Sequence, residues 1–94
     1  MTSYHGCNIN ATTNQLDEVE QFQCECMDFD NAGDKVQVEF EYTFEHEDES
    51  HTVYIYSWKE YRQICPSEYL EFHIGATSSY ISSIAQDKIK ALLL

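Results

Sequence analysis

The chain has 94 residues, of which 43% are hydrophobic and 14% aromatic, so it can bury one modest core and is not expected to be intrinsically disordered. Seventeen acidic residues against five basic ones give a net charge of -12, which argues against direct nucleic-acid binding because phosphate groups need clustered lysine and arginine. The first residues lack the features of a signal peptide, and no apolar run approaches the roughly 18 residues of a membrane span. We therefore expect one soluble, cytoplasmic domain, residues 1–94, with no membrane partner.

The acidic residues are concentrated in one part of the chain. Residues 1–56 hold thirteen acids and one base, Lys35, whereas residues 57–94 hold four of each. Such one-sided charge repels itself and destabilises the compact state. This distribution indicates either a solubility role or a basic partner.

The middle of the chain has three strand patterns in succession. The first begins at Phe22 in FQCECMD, where Phe22, Cys24 and Cys26 fall on one side of the strand. After a turn at 28–34, apolar and polar residues alternate over 36–45, and a third strand follows at 52–56. The intervening HEDES is predicted to be a solvated turn, so the three strands should form an antiparallel meander.

The last third of the chain carries helix signals. Ser57 and Glu60 have the spacing of a capping box, which predicts a short helix near 58–64 that ends before Pro66. Alternation over 67–74 favours a fourth strand, with a short helix as the alternative. Apolar residues then repeat every three to four positions near 78–92, which indicates an amphipathic C-terminal helix.

These elements predict a two-layer α+β domain in which helices cover one face of an antiparallel sheet of three to four strands. The other face should be open to water. It is predicted to carry Gln23, Glu25, Gln37, Glu39, Glu41, Glu45, Tyr54, Tyr56, Tyr69, Glu71 and His73. This face lacks the opposite charges that neighbouring strands usually pair.

We interpret the acidic face as an interaction surface for a basic protein or nucleoprotein complex. Alternate residues of a strand lie about 6.8 Å apart on one face at roughly 3.4 Å per residue, so Glu39 and Glu41 form a row comparable in spacing to DNA phosphates. Tyrosines add rigid contact area. The candidate partner-binding residues are Glu25, Asp28, Asp30, Glu39, Glu41, Glu45, Glu47, Asp48, Glu49, Tyr54, Tyr56 and Glu71.

Metal binding is the less favoured interpretation of the same residues. Asp28, Asp30, Gly33 and Glu39 match EF-hand positions, but Ala32 replaces an oxygen ligand and Glu39 lies in a strand pattern. Only one residue separates Cys24 from Cys26, whereas structural zinc sites begin with wider spacing. We therefore expect no metal and no cofactor, and we expect the four cysteines to be reduced thiols buried as small apolar groups.

Catalysis has little support in the sequence. The chain lacks a nucleophile elbow, a phosphate-binding loop, an HExxH motif and a kinase-like signature. We therefore expect a non-enzymatic protein. The plainest alternative to an interaction surface is a charged solvent face. The size and segregation of the charge add weight to an interaction surface, and both interpretations stay open at this point.

In its size, charge and layout, with EFEYTFEHEDES at 39–50 as the densest acidic stretch, the chain resembles the small DNA-mimic inhibitors of phages and mobile elements. These include anti-CRISPR proteins, anti-restriction proteins and uracil-glycosylase inhibitors. The resemblance implies an inhibitor that occupies the DNA-binding groove of a host nuclease or surveillance complex, with an anti-CRISPR protein that blocks target-DNA binding as the favoured form. A phage-encoded inhibitor of this kind would act in the cytoplasm of a bacterial host cell. The alternative is an immunity protein or antitoxin that covers the basic active site of a nuclease toxin.

Overall fold

The computed structural model describes residues 2–30, 33 and 35–94 and shows a mixed α+β architecture. The five strands form one antiparallel sheet in the order β1-β5-β4-β3-β2. The elements in chain order are β1 (Ser3–Thr12), α1 (Thr13–Glu18), β2 (Phe22–Met27), β3 (Val38–His46), β4 (Glu49–Tyr56), β5 (Tyr69–Ala76) and α2 (Ser79–Leu92). The α+β class is as predicted, but the sheet has five strands instead of three or four. The predicted turn at 28–34 falls partly outside the described residues.

Strands β2, β3 and β4 form the predicted antiparallel meander. Apolar residues of β3 lie opposite apolar residues of β4, as Phe40 does opposite Ile55, and both side chains are fully buried. The acidic and tyrosine positions pair on the other face, where Glu41 lies opposite Tyr54. The alternation in the sequence therefore gives the correct division of β3 and β4 between core and open face.

The alternation predicted for β2 is interrupted by an irregularity in its pairing with β3. The register shifts between Cys24 and Cys26, so that Cys24 lies opposite Phe40 but Cys26 lies opposite Glu39. An extra residue in one strand of an antiparallel pair produces this effect. The prediction that Cys26 points into the core with Phe22 is therefore wrong.

Strand β1 and helix α1 were not predicted. Strand β1 pairs with β5, which places Ile9 opposite Phe72 and Ala11 opposite Leu70. Thr12 and Gln15 form a capping box at the start of α1, because Thr12 Oγ1 accepts from the Gln15 backbone N–H and Gln15 Oε1 accepts from the Thr12 backbone N–H. The chain thus crosses from one outer strand, β1, to the other, β2, through α1.

The helix predicted near 58–64 does not form, and this prediction is wrong. The hydroxyl of Ser57 accepts from the backbone N–H groups of Gln37 and Val38 instead of capping a helix at Glu60. Lys59 has a φ of 55°, which lies in the left-handed region and is incompatible with a right-handed helix. Residues 57–68 therefore form an irregular connection between β4 and β5. The neighbouring segment, 67–74, is largely strand β5, as favoured from the alternation.

Helix α2 lies where the sequence predicts it and completes the core. Its cap is Ser78, whose hydroxyl accepts from the Ile81 backbone N–H at 3.2 Å. Ile81, Ala85 and Ile89 are buried with the apolar faces of the strands, and Leu16 of α1 belongs to the same cluster. Both helices therefore cover one face of the sheet. Within the described part of the chain, no helix is long and apolar enough to cross a membrane.

Candidate protein-interaction face

The open face is the sheet face turned away from α1 and α2. The registers place Glu39 opposite Tyr56, Glu41 opposite Tyr54, and Tyr56 in turn opposite His73. None of the five strands, all of which lie in the described residues, contains a lysine or arginine. Acidic residues of β3 therefore lie beside tyrosines of β4 and the histidine of β5 on one continuous surface.

Three carboxylates at the β2 side of this face form an acidic trio, Glu25, Glu39 and Glu41. The register shift in β2 brings Glu25 beside Glu41, and a hydrogen bond between the two carboxyl groups is the main cause that raises the pKa of Glu41. Desolvation and the negative charges of Glu25 and Glu39 raise the pKa of Glu41 further. Among the described residues, the trio takes part in no ion pair with lysine, arginine or histidine. Like charges in contact without a counter-charge are unfavourable to the isolated fold.

An aromatic cluster lies beside the trio and consists of Tyr4, Tyr56, Trp58 and His73. The imidazole of His73 stacks on Tyr4 with ring centroids 3.9 Å apart and contacts Tyr56 edge-on at 5.6 Å. Trp58 lies 6.1 Å from Tyr56 and 6.3 Å from His73, measured between centroids. Tyr4 and Trp58 remain 41% and 39% exposed, so the cluster presents aromatic surface to solvent.

A shallow cavity of about 210 Å³ lies where the trio and the aromatic cluster meet. Glu39 contributes the acidic wall, and Tyr54, Tyr56 and Trp58 contribute aromatic walls. Gly75 forms part of the floor, and a Cβ at this position would approach the Tyr56 ring to 3.3 Å. The absence of a side chain at Gly75 thus allows Tyr56 to pack closely over β5.

The acidic hairpin tip, Glu47 to Glu49, lies at one end of β3. Glu47 and Asp48 have φ angles of 53° and 65°, both in the left-handed region that favours glycine. His46 and Glu49 pair across this two-residue loop, and paired left-handed residues are typical of a type I′ hairpin. His46 Nε2 lies 3.0 Å from the Tyr80 hydroxyl, which ties the hairpin to the first turn of α2. The turn predicted at 46–50 is therefore shorter than expected, because Glu49 and Ser50 belong to β4.

Asp28 and Asp30 lie at the opposite end of β3, beyond the end of β2. The Asp28 carboxylate accepts from the Asp30 backbone N–H at 3.2 Å, and the Asp30 carboxylate accepts from Gln63 Nε2 at 2.9 Å. Both residues are exposed but are held by bonds of the loop itself. The structure therefore brings Glu25, Glu39, Glu41, Tyr54 and Tyr56 together, with Glu45 further along β3 and Glu71 on β5, and leaves the loop acids at the two ends.

Gln37 is the one predicted open-face residue that is almost completely buried. It precedes β3, is 1% exposed, and donates from Nε2 to the backbone carbonyls of Glu60 and Arg62, the latter at 2.8 Å. Its role is to hold the 57–68 connection against the end of the sheet. The prediction of Gln37 as a surface residue is wrong because this connection covers it.

The positive charges lie around the open face and behind it. Arg62 donates to both carboxylate oxygens of Glu68 at 2.5 and 2.9 Å, so its charge is locally compensated. Lys59 Nζ stands 5.8 Å from the centroid of the Trp58 ring, and Lys88 of α2 stands 5.7 Å from that of Phe44 on the helix side of the sheet. None of these three cations forms an ion pair with the acidic trio.

The cysteines are free thiols, but they are less buried than the sequence suggested. Cys24 and Cys65 are exposed and Cys7 and Cys26 are half-buried. Cys24 lies in an outer strand of the sheet, and Cys65 lies in the 57–68 connection, so neither is enclosed by core residues. Among the residues that the structure describes, no group of three or more histidine, cysteine or acidic side chains is arranged to hold a metal ion.

Comparison of the chain with protein-family models, with curated proteins and with solved structures gave no match.

Sequence reasoning found the carboxylates of the open face but missed the aromatic cluster as a unit. Tyr4, Trp58 and His73 come from β1, the 57–68 connection and β5. The pairing of β1 with β5 brings Tyr4 to His73, and the pairing of β4 with β5 brings Trp58 near it. Alternation placed His73 on the open face but gave no sign of its neighbours. A signal for β1 and α1 was present in the sequence, since Thr12 and Gln15 have capping-box spacing directly after Ile9 and Ala11.

Proposed function

We propose that this protein is a non-enzymatic inhibitor whose open face imitates the charge of a DNA backbone and occupies the basic DNA-binding groove of a host nucleic-acid-binding complex. The favoured target is a CRISPR surveillance complex, which the protein would block from its target DNA. The single observation that carries this proposal is the acidic trio, three adjacent carboxylates on an open sheet face that form no ion pair with a basic residue among the described residues.

The acidic trio is more favourable in a complex with a basic partner than in the free protein. Its like charges are unfavourable in the free protein, and a partner's lysine and arginine side chains would convert that repulsion into charge-assisted hydrogen bonds. A net charge of -12 would also steer the encounter with a basic groove and repel nucleic acid. The affinity of the complex should therefore fall steeply with salt concentration.

The aromatic cluster supports a protein partner over simple solvation of the acidic face. Tyrosine and tryptophan are enriched at interface centres because they offer rigid, partly polar contact area. Here Tyr56 and Trp58 lie directly beside Glu39 around one cavity. A face built only for solubility has no need of exposed aromatic rings beside its carboxylates.

The proposal is tested by reversing the charge of the trio. Glu39→Lys with Glu41→Lys should abolish capture of a DNA-binding complex from host lysate at low salt while the domain stays folded, because both side chains lie on the open face. The control is Asp17→Lys with Glu18→Lys, two exposed residues of α1 that change the net charge by the same amount. Wild type and control should capture the complex, and added DNA should displace it.

Two outcomes would redirect the interpretation. Full inhibitory activity in the folded Glu39→Lys, Glu41→Lys variant would remove the DNA-mimic proposal. Capture of a nuclease toxin instead of a DNA-binding complex would identify an immunity protein, which relies on the same electrostatics.

A further inference from the structure

We infer that the cavity between Glu39, Tyr56 and Trp58 is a binding site for a single arginine side chain of the partner. This inference rests on the proposed function, because it identifies the chemical group that the open face would recognise first. It assigns a specific anchor to a surface whose charge alone would accept any cation.

The size of the cavity suits one side chain. Pockets for drug-sized ligands and cofactors usually measure about 300–1,000 Å³, whereas this one is about 210 Å³. It is open to solvent at one end of the face, where β1 and β3 begin and β4 and β5 end. A side chain that projects from a partner's surface can therefore enter it without any opening of the fold.

The lining of the cavity matches a guanidinium group more closely than an ammonium group. Guanidinium is planar, stacks on aromatic rings and binds a carboxylate through two parallel hydrogen bonds. Trp58 and Tyr56 supply rings and Glu39 supplies the carboxylate. An ammonium group is a more strongly hydrated point charge and gains less from stacking.

One ring of this site, that of Trp58, already has a cation of the chain beside it. Lys59 Nζ stands 5.8 Å from the centroid of Trp58, within the range of a cation–π interaction. Lys59 is exposed, so a partner cation can displace it at little cost. Glu39 is close enough to Tyr56 that its negative charge contributes to raising the pKa of the Tyr56 hydroxyl, after desolvation and Tyr4. Negative potential and aromatic surface thus coincide at one point.

The shape of the site depends on Gly75. A Cβ at this position would meet Tyr56 Cε1 at 3.3 Å, which would push the ring outward by a few tenths of an ångström. The close approach of Tyr56 to β5 is therefore part of how the cavity is formed.

The inference is tested with short peptides and the fluorescence of Trp58, the only tryptophan of the chain. The probes are acetyl-Gly-Arg-Gly-amide, its lysine analogue and its citrulline analogue, which keeps the shape of arginine without the charge. At low salt we expect a saturable fluorescence change with the arginine peptide, at least severalfold weaker binding of the lysine peptide, and none of the citrulline peptide. Binding of the citrulline peptide as tight as that of arginine, or no saturable change with arginine, would overturn the inference.

A pair of matched variants locates the site. Glu39→Gln should lower the affinity for the arginine peptide at least fivefold. Glu45→Gln should change that affinity less than twofold, because Glu45 pairs with Ser50 away from the cavity. Lys59→Gln should strengthen binding by removing the competing cation. Equal effects of Glu39→Gln and Glu45→Gln would show general electrostatic attraction and reject the site.

The result is separable from that of the proposed function. If the wild-type protein captures a DNA-binding complex but does not bind the arginine peptide, only the arginine site is rejected. Peptide binding by a protein that captures no basic complex leaves the site in place and rejects the proposed function.

Discussion

The imidazole of His73 lies flat against the phenol ring of Tyr4, with centroids 3.9 Å apart and planes inclined by 14°. Desolvation by burial lowers the pKa of His73 below its ordinary value of 6.5, and the charge of Glu71 opposes part of that shift. A lowered pKa means that the native state prefers neutral His73. Its contribution to stability is therefore fully present above pH 6.5 and is lost as the pH falls through that value towards the folded-state pKa.

The Tyr4→Ala variant tests this relationship. Removal of the ring exposes His73 to water, so the pKa of His73 measured by NMR titration should rise towards its ordinary value. The matched control is Tyr80→Ala, whose ring contacts His46 and not His73. Superimposable His73 titration curves in wild type and Tyr4→Ala would contradict the desolvation account.

Glu41→Gln should stabilise the domain at neutral pH. The pKa of Glu41 is raised above 4.5, so the native state holds this proton more tightly than the unfolded state and the charged carboxylate is a liability at neutral pH. The liability disappears as the pH falls through the folded-state pKa. We expect a higher urea midpoint for Glu41→Gln at neutral pH and no difference well below pH 4.5.

Glu45→Gln provides the comparison for that experiment. It removes the same charge from the same strand, but Glu45 lies opposite Ser50 instead of beside a second carboxylate. Its urea midpoint should move less than that of Glu41→Gln. Equal midpoints for the two variants would mean that net charge, and not the contact with Glu25, is responsible.

Glycine in place of an acidic residue at the hairpin tip should stabilise the domain. Asp48 has a φ of 65°, and a left-handed conformation costs a residue with a side chain roughly 1–2 kcal/mol. Asp48→Gly should therefore raise the free energy of unfolding by about 1 kcal/mol. Asp48→Ala removes the same charge but keeps the Cβ, and in urea titrations it should give no such gain.

Gln37→Ala should release the 57–68 connection from the sheet. The substitution leaves the carbonyls of Glu60 and Arg62 without their donor and should cost about 1–3 kcal/mol of unfolding free energy. Amide hydrogen exchange should accelerate in residues 57–68 before it does in β3. The same substitution at exposed Gln23 should cost less than about 0.5 kcal/mol in the same assay.

The two exposed cysteines should differ in reactivity. A hydrogen bond with Ser67, whose Oγ lies 3.2 Å from the Cys65 sulfur, lowers the pKa of Cys65. Desolvation, followed by the charge of Asp17, raises the pKa of Cys24. Because the thiolate is the reactive form, iodoacetamide should modify Cys65 faster at mildly alkaline pH. Mass spectrometry should show that Ser67→Ala slows the modification of Cys65 and leaves the rate at Cys24 unchanged.

The sheet was predictable where burial on one face leaves a period of two in the sequence. Strand β3 is the clearest case, since Phe40 and Tyr42 face the core while Glu39 and Glu41 face solvent. The pattern fails in β2, because a single shift of register exchanges the two faces after Cys24. A bulge of this kind leaves no periodic signal.

The site was predictable only in its charge. The candidate carboxylates of β2 and β3 do lie together, but the connection that positions Trp58 was expected to be a helix. Ser57 was expected to cap that helix. Its hydroxyl instead accepts hydrogen bonds from the backbone N–H groups of Gln37 and Val38, which are far from it in sequence. Tertiary hydrogen bonds of this kind override local propensity and are invisible to it.

The pairing of β1 with β5 joins the first and the last strand of the chain, so it is the most distant strand contact of the sheet. Hairpins β2–β3 and β3–β4 join neighbouring segments, whereas β1 has no partner strand until Tyr69 to Ala76 are available. The acidic trio of β2 and β3 depends only on this local pairing, whereas the contact between Tyr4 and His73 requires β1 and β5 to meet. The acidic part of the open face can therefore form from the middle of the chain, and the aromatic cluster is complete only when the fifth strand has docked.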